Sequence, residues 1–142
     1  MNQILITGGL GYIGSHTVVE LIQAGYDPIL VDKRSESPIE VKDRIEKIVG
    51  REITFRQVEL CDRAAVDSVF KEFPDISGVI HFAAFLLVNE SVEAPLKYYQ
   101  NNLLSTVNLL QSMEAHGIRN IVFSSSCTVY GTPENPHVDE NA

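Results

Sequence analysis

Residues 4–14 read Ile4-Leu5-Ile6-Thr7-Gly8-Gly9-Leu10-Gly11-Tyr12-Ile13-Gly14. Ile4 to Ile6 is an apolar run of the length of a short buried strand. It enters Gly8, Gly11 and Gly14, spaced G-x-x-G-x-x-G, and Ser15 to Ile22 continues as an amphipathic helix that Gly25 stops. Strand, tight glycine turn and helix together make a phosphate site. The first helical turn leaves N–H groups without helical partners, and the helix dipole places partial positive charge there. A side chain at the glycines would hold a pyrophosphate away from the backbone. A turn that only lets helix and strand pack closely is the plainer alternative. Two features favour a nucleotide. The glycines sit between a strand and a helix, and a second strand, Pro28 to Val31, ends in Asp32, 18 residues after Gly14. A carboxylate there accepts hydrogen bonds from a ribose 2′-hydroxyl.

Working outward, the pattern alternates strand and helix throughout, without internal repeats. This predicts an α/β fold, a Rossmann-like doubly wound parallel sheet of about five strands. Its 142 residues make one domain with room for a core. The net charge of −8 argues against a nucleic-acid surface. It does not argue against a dinucleotide, whose phosphates backbone N–H groups can hold. Cys61 and Cys127 stand in neither metal nor redox spacing, and no metal site is expected. Without a signal peptide or long apolar segment, no membrane association and a cytoplasmic location are the expectation.

Ser37-Pro38-Ile39-Glu40 predicts the start of a second helix, with Ser37 as cap and Glu40 closing a capping box, running to about Val49. The third strand is Ile53 to Val58. Asp62 reads as the cap of a third helix, Arg63 to Glu72, ended by Pro74. The fourth strand, Gly78 to Phe82, opens into Ala83 and Ala84, small residues at the sheet edge that lines the ligand crevice in such folds. His81 reads as a core histidine. Pro95 starts the longest helix, to about His116. Leu96, Leu103 and Leu110 recur every seven residues, as do Tyr99, Thr106 and Met113. This stripe is either buried on the sheet or, with Leu104, Val107 and Leu109 beside it, one of two buried faces, the other meeting a partner helix. Asn101 and Asn102 require hydrogen-bond partners, backbone or ligand. The fifth strand, Ile121 to Phe123, flows into Ser124-Ser125-Ser126, which either satisfy loop backbone or meet a substrate oxygen. Residues 131–142 read as a loop tail.

Together, the T-G-G-x-G-Y-I-G-S-H turn, Asp32, His81-Phe82-Ala83-Ala84, Tyr98-Tyr99-Gln100-Asn101-Asn102 and Ser124-Ser125-Ser126-Cys127-Thr128-Val129-Tyr130-Gly131 resemble the amino-terminal part of the UDP-glucose 4-epimerase family, extended short-chain dehydrogenases/reductases. The resemblance covers essentially the whole chain. It implies a tightly held NAD that transiently takes a hydride from C4 of a UDP-sugar. It also implies that Gly8, Gly11, Tyr12, Ile13 and Gly14 cradle the pyrophosphate. Asp32 would hold the adenosine ribose, with Lys33, Arg34, Ser35 and Ser37 in the adjoining loop. Glu59 and Leu60 would border the adenine, and Phe82, Ala83, Ala84, Leu86 and Asn101 would line the cofactor. Ser124 would lie beside the nicotinamide, and Ser126 would bond the reacting sugar hydroxyl as the catalytic serine of this part.

Three departures from the family pattern stand out. Glu59 stands where the family usually has Asp. Leu86 stands where a cofactor-contacting lysine is expected. Lys33 and Arg34 follow Asp32, so cations adjoin the ribose site. The family's base, the tyrosine of a Tyr-x-x-x-Lys pair, is absent: Tyr130 is followed four residues later by Glu134. The expectation is therefore a cofactor domain incomplete at its carboxyl end, lacking the sugar-nucleotide domain and inactive alone. A dehydratase or decarboxylase of the same superfamily, or a non-catalytic dinucleotide-binding module, are the alternatives. Doubly wound order places the strands 3-2-1-4-5. That leaves an exposed edge at Asn120 to Phe123 and an exposed face on the long helix, both favouring self-association, with a homodimer through residues 95–116.

Overall fold

The computed structural model describes residues 2–33, 40–132 and 137–140. Five strands form one sheet: β1 (Gln3–Thr7), β2 (Asp27–Asp32), β3 (Thr54–Gln57), β4 (Ile76–His81) and β5 (Ile121–Phe123). Their order is β3-β2-β1-β4-β5, every pairing parallel. The expected order is the observed one. Central strand β1 pairs on both sides, Thr7 standing opposite Val31 in β2 and His81 in β4.

The helices are α1 (Tyr12–Gln23), α2 (Glu40–Val49), α3 (Arg63–Glu72), α4 (Val88–Glu93) and α5 (Pro95–Ala115). They cover both faces, which is why the central strands are apolar at successive positions rather than alternate ones. Leu5, Ile29, Val31 and Val79 turn to one face, against Val66, Val69 and Phe70 of α3 and Leu109 and Met113 of α5. Ile6 and Leu30 turn to the other, against Val18 of α1 and Ile45 of α2.

Helix ends follow local chemistry. Asp62 caps α3, its carboxylate accepting from the N–H groups of Ala64 (2.9 Å) and Ala65 (3.1 Å). Pro95 opens α5, and Gly117 at φ +73° follows its end. The predicted cap at Ser37 lies outside the described residues, and α2 is described from Glu40. Helix α4 and a 3-10 turn at Cys127–Tyr130 are additional to the sequence reading.

One reading of α5 is corrected. Leu96, Leu103 and Leu110 do not lie on the sheet but are exposed, as are Tyr99 and Val107. The buried residues of α5 are Tyr98, Ser105, Asn108, Leu109, Ser112 and Met113. A polar amide serves there at Asn108 because the neighbouring backbone needs a donor. Asn108 Nδ2 bonds the carbonyls of both Leu60 and Cys61 at 2.9 Å. The leucine stripe is therefore an outward face. The edge strand β5 is likewise uncovered, with Val122 62% and Phe123 55% exposed.

Candidate functional site

Parallel strands bring their carboxyl ends to one edge, so the turns after β1, β2, β3 and β4 converge. Gly8 N–H donates to the Val31 carbonyl at 2.9 Å, and Phe82 N–H donates to the Thr7 carbonyl at 3.1 Å. Gly8 adopts φ +68°, and a Cβ there would lie 2.9 Å from the Ala83 nitrogen. Both the left-handed backbone and the close approach select glycine. Gly11 N–H closes the turn onto the Gly8 carbonyl at 3.0 Å. Gly11 is also the N-cap of α1, and among the described residues no side chain caps that helix. The first-turn N–H groups of α1 thus lack the side-chain acceptor that Asp62 provides for α3, which suits an anionic ligand.

A cleft of about 140 Å³ opens beside this turn. Its walls include Gly8, Gly11, Asp32, Lys33, Glu59, Leu60, Phe82, Ala83, Ala84, Leu86 and Asn101, all singled out from the sequence. Val31, Val58 and Ser105 complete it and were not foreseen. Val31 and Val58 immediately precede Asp32 and Glu59, so the strand-end rule extends to them. For Ser105 no sequence signal distinguishes the cleft from the buried helix face.

Asp32 Oδ2 accepts from Leu10 N–H at 3.3 Å, which turns the carboxylate toward the glycine turn. Glu59 Oε1 folds back to accept from Cys61 N–H at 3.1 Å. Burial pushes the Cys61 thiol up from its ordinary pKa, so it stays protonated, its Sγ 3.7 Å from the Asn101 carbonyl. Lys33 reaches across the mouth, its Nζ 3.5 Å from the Phe85 ring centre, and Lys97 stands 5.0 Å from the same ring. Lys97 also pairs with Glu90 at 2.5 Å, and Tyr98 donates to Glu90 at 2.7 Å. Lys97 first, then Tyr98, hold the Glu90 carboxyl below the usual range. Asn102 clamps the backbone of Phe85 from both sides, accepting its N–H (2.8 Å) and donating to its carbonyl (3.1 Å).

The remaining predicted residues lie apart from the cleft walls. Tyr12 and Ile13 stand exposed on the first turn of α1, with Gly14 buried beneath. Arg34, Ser35 and Ser37 lie outside the described residues. Ser124 and Ser126 follow β5 at the same sheet edge and are exposed. Ser126 caps the 3-10 turn, its Oγ accepting from Thr128 N–H at 3.2 Å. His81 is buried between Thr7 and Thr106, 2.6 Å and 3.1 Å away. It occupies the core, as its apolar strand predicted.

Residues 4–142 match the family described as NAD dependent epimerase/dehydratase. The chain is 52% identical over 138 residues to a UDP-glucose 4-epimerase of Bacillus subtilis, covering 97% of this chain and 40% of that protein. Over 144 residues it is 44% identical to the UDP-glucose 4-epimerase of Homo sapiens, covering 97% and 41%. The UDP-glucose 4-epimerase of Stenotrophomonas maltophila, solved with NAD and formylated UDP-arabinopyranose, superimposes with a TM-score of 0.93. It shares 40% identity, over 100% of this chain and 42% of that one. The enzyme from Bifidobacterium longum, solved with NAD+ and UDP, gives 0.91 and 43%, over 97% and 41%. The chain thus spans about 40% of the length of these relatives.

Proposed function

This chain belongs to the NAD dependent epimerase/dehydratase family, and we propose that it is the NAD-binding part of an enzyme that interconverts UDP-glucose and UDP-galactose. One observation carries the cofactor reading. Gly8, Asp32 and Ala83, from the ends of three different strands, meet around one cleft beside an uncapped helix start. The fit is steric as well as electrostatic, because a Cβ at Gly8 would collide with Ala83 at the cleft floor.

The residues divide the work. Backbone N–H groups of Tyr12, Ile13 and Gly14 meet the pyrophosphate, on the turn that Gly8 and Gly11 shape. The Asp32 carboxylate accepts from the adenosine ribose, and Glu59 and Leu60 border the adenine. Lys33 adjoins that ribose, and a cofactor-binding role is proposed for Arg34, Ser35 and Ser37 as well. Phe82, Ala83, Ala84, Leu86 and Asn101 wall the cofactor, and Ser124 adjoins its nicotinamide end. Ser126 hydrogen-bonds the reacting sugar hydroxyl. A bound nicotinamide dinucleotide supplies reversible hydride exchange with sugar C4. No Tyr-x-x-x-Lys pair occurs in residues 1–142, so the base and the sugar-binding half are assigned to the portion the relatives have and this chain does not span. Residues 1–142 form one cofactor domain, inactive alone. Cytoplasmic location and a role in galactose metabolism belong to the same proposal. So does a homodimer through α5, whose exposed Leu96, Tyr99, Leu103 and Leu110 form an apolar face. Sedimentation at rising concentration tests the dimer, and a monomer throughout would refute it.

Leu86 favours one other reading. It is 76% exposed at the cleft rim, where the resemblance leads one to expect a lysine, which suits a dinucleotide-binding module without catalysis. Calorimetry with NAD and NADP on the 142-residue chain, beside Asp32→Ala, tests the cofactor site. Micromolar or tighter NAD binding that the substitution removes is the expected result. A folded chain that binds neither dinucleotide would sink the proposal. Conversion of UDP-glucose by this chain alone would refute its inactivity.

A further inference from the structure

The cleft wall is tied to the interior of α5 by hydrogen bonds whose direction follows from counting donors and acceptors. Thr106 Oγ1 donates to the Asn102 carbonyl at 2.8 Å. A hydroxyl has one proton, so toward His81 Nε2, 3.1 Å away, the same oxygen accepts. His81 therefore carries its proton on Nε2. Its Nδ1 is bare and accepts from Thr7 Oγ1 at 2.6 Å. Thr7 Oγ1 in turn accepts from Ala83 N–H at 3.3 Å. The opposite tautomer would leave the Thr7 hydroxyl, which is fully buried, facing two donors with nowhere to send its own proton. One tautomer thus satisfies every group from Ala83 to Asn102, and the other leaves a buried orphan.

We propose that Thr7, His81 and Thr106 are positioning residues for the cofactor cleft, a one-directional hydrogen-bond relay that fixes the Ala83 backbone against the Gly8 turn. The inference rests on the cofactor reading above. The relay ends at the residue that needs holding, since the Ala83 nitrogen is the atom a Cβ on Gly8 would meet first. At its far end, the Asn102 side chain grips Phe85 through both of that residue's backbone groups. The segment from Ala83 to Phe85 is held at each end by α5, directly at Phe85 and through His81 at Ala83. The relay has no place for an imidazolium, because Nδ1 must accept and Ala83 N–H cannot.

The test uses the 142-residue chain with Thr106→Val, Thr106→Ser, Thr7→Val and Thr7→Ser. Nitrogen-15 NMR of His81 should show the Nε2–H tautomer in the unsubstituted chain. In Thr106→Val the Nδ1–H form should appear. Exchange of the Ala83 amide, three hydrogen bonds removed from Thr106, should accelerate about tenfold, and NAD should bind about tenfold more weakly, the equivalent of one ordinary hydrogen bond. Thr7→Val should give the same exchange and binding losses, and both serine variants should restore them. A role in packing alone would leave the tautomer unchanged in Thr106→Val. An Nδ1–H tautomer in the unsubstituted chain overturns the relay, whether or not the valine variants fold. So does an Ala83 amide indifferent to Thr106→Val. Failure of the unsubstituted chain to bind NAD would overturn the cofactor reading alone, and tautomer and exchange would still decide the relay.

Discussion

A Cβ placed on Gly14 would stand 2.3 Å from the Gly8 carbonyl oxygen, and Gly14 itself lies buried in the first turn of α1. That oxygen already accepts from Gly11 N–H, so it cannot move without opening the turn. Gly14→Ala should destabilise the chain by about 3 kcal/mol, the upper range for forced overpacking, and abolish dinucleotide binding in whatever fraction still folds. Urea denaturation followed by calorimetry checks both. A variant of unchanged midpoint would show that α1 can slide away from the turn.

Asp62 stands at the mouth of α3 and touches no cleft residue through its side chain, which is occupied by Ala64 and Ala65. Removing it separates stability from binding. Asp62→Ala should lose about 1 kcal/mol with the affinity for NAD unaltered. A large loss of affinity would place Asp62 in the site rather than at a helix end.

Ser112 Oγ is buried with no hydrogen-bond partner among the described residues, on the face of α5 that carries Leu109 and Met113. Burying a hydroxyl without a partner costs more than it returns, and alanine is the better helix former. Ser112→Ala should therefore raise stability by about 1 kcal/mol, read as an upward shift in the thermal midpoint. A downward shift would mean that the hydroxyl is satisfied in solution.

The core strands were legible because parallel sheets bury both faces. Ile4 to Ile6 and Pro28 to Val31 carry apolar residues at consecutive positions, and β1 and β2 extend only one residue beyond those runs at each end. The glycine turn and Asp32 were legible for a related reason, since few arrangements place such residues at strand ends. Helix α5 misled by its periodicity. Its leucines repeat every seven residues, yet the side that packs includes Ser105, Asn108 and Ser112, and Asn108 is there to meet the carbonyls of Leu60 and Cys61. Hydrophobic spacing carries no information about that demand. Helix α4 was illegible because its six residues, Val88–Glu93, bury nothing and have no capping side chain. Ion pairing and hydrogen bonding from Glu90 to Lys97 and Tyr98 tie it to α5, and a local pattern does not reveal such a tertiary contact. The Lys33–Phe85 contact is hidden for the same reason, joining residues from different strand ends.

At the cleft rim, Leu86 offers an exposed apolar side chain beside residues assigned to a ligand with an anionic pyrophosphate. A cation there gains Coulombic attraction without a burial penalty. Leu86→Lys should tighten NAD binding by about threefold to tenfold in dilute buffer, with the gain shrinking as salt screens it. Calorimetry at two ionic strengths separates this from altered packing, which salt would leave unchanged. An affinity that falls in both buffers would show that leucine itself contacts the cofactor.

His81 links pH to stability through a group that touches no charge. It is buried among Thr7, Thr106 and the Phe123 ring, and desolvation lowers its pKa to about 4 from an ordinary 6.5. Between those values the unfolded chain binds a proton that the folded chain refuses. Stability therefore rises with pH across this window and is lost as pH falls from 6.5 toward 4, with no further loss from this group below that. The carboxylates Glu46, Asp67, Glu72 and Glu90 have pKa values below their ordinary ones of 4.5 and 3.8, so their contributions are lost as pH falls through and below those ordinary values, and the interval from pH 7 to pH 5 reports His81. Between pH 7 and pH 5 the unfolding free energy should drop by about 2 kcal/mol from His81 alone. His81→Asn, which cannot titrate, should start less stable and show a nearly flat dependence over the same range. A variant that keeps the full slope would assign the titration to another group and leave His81 uncharged at no cost.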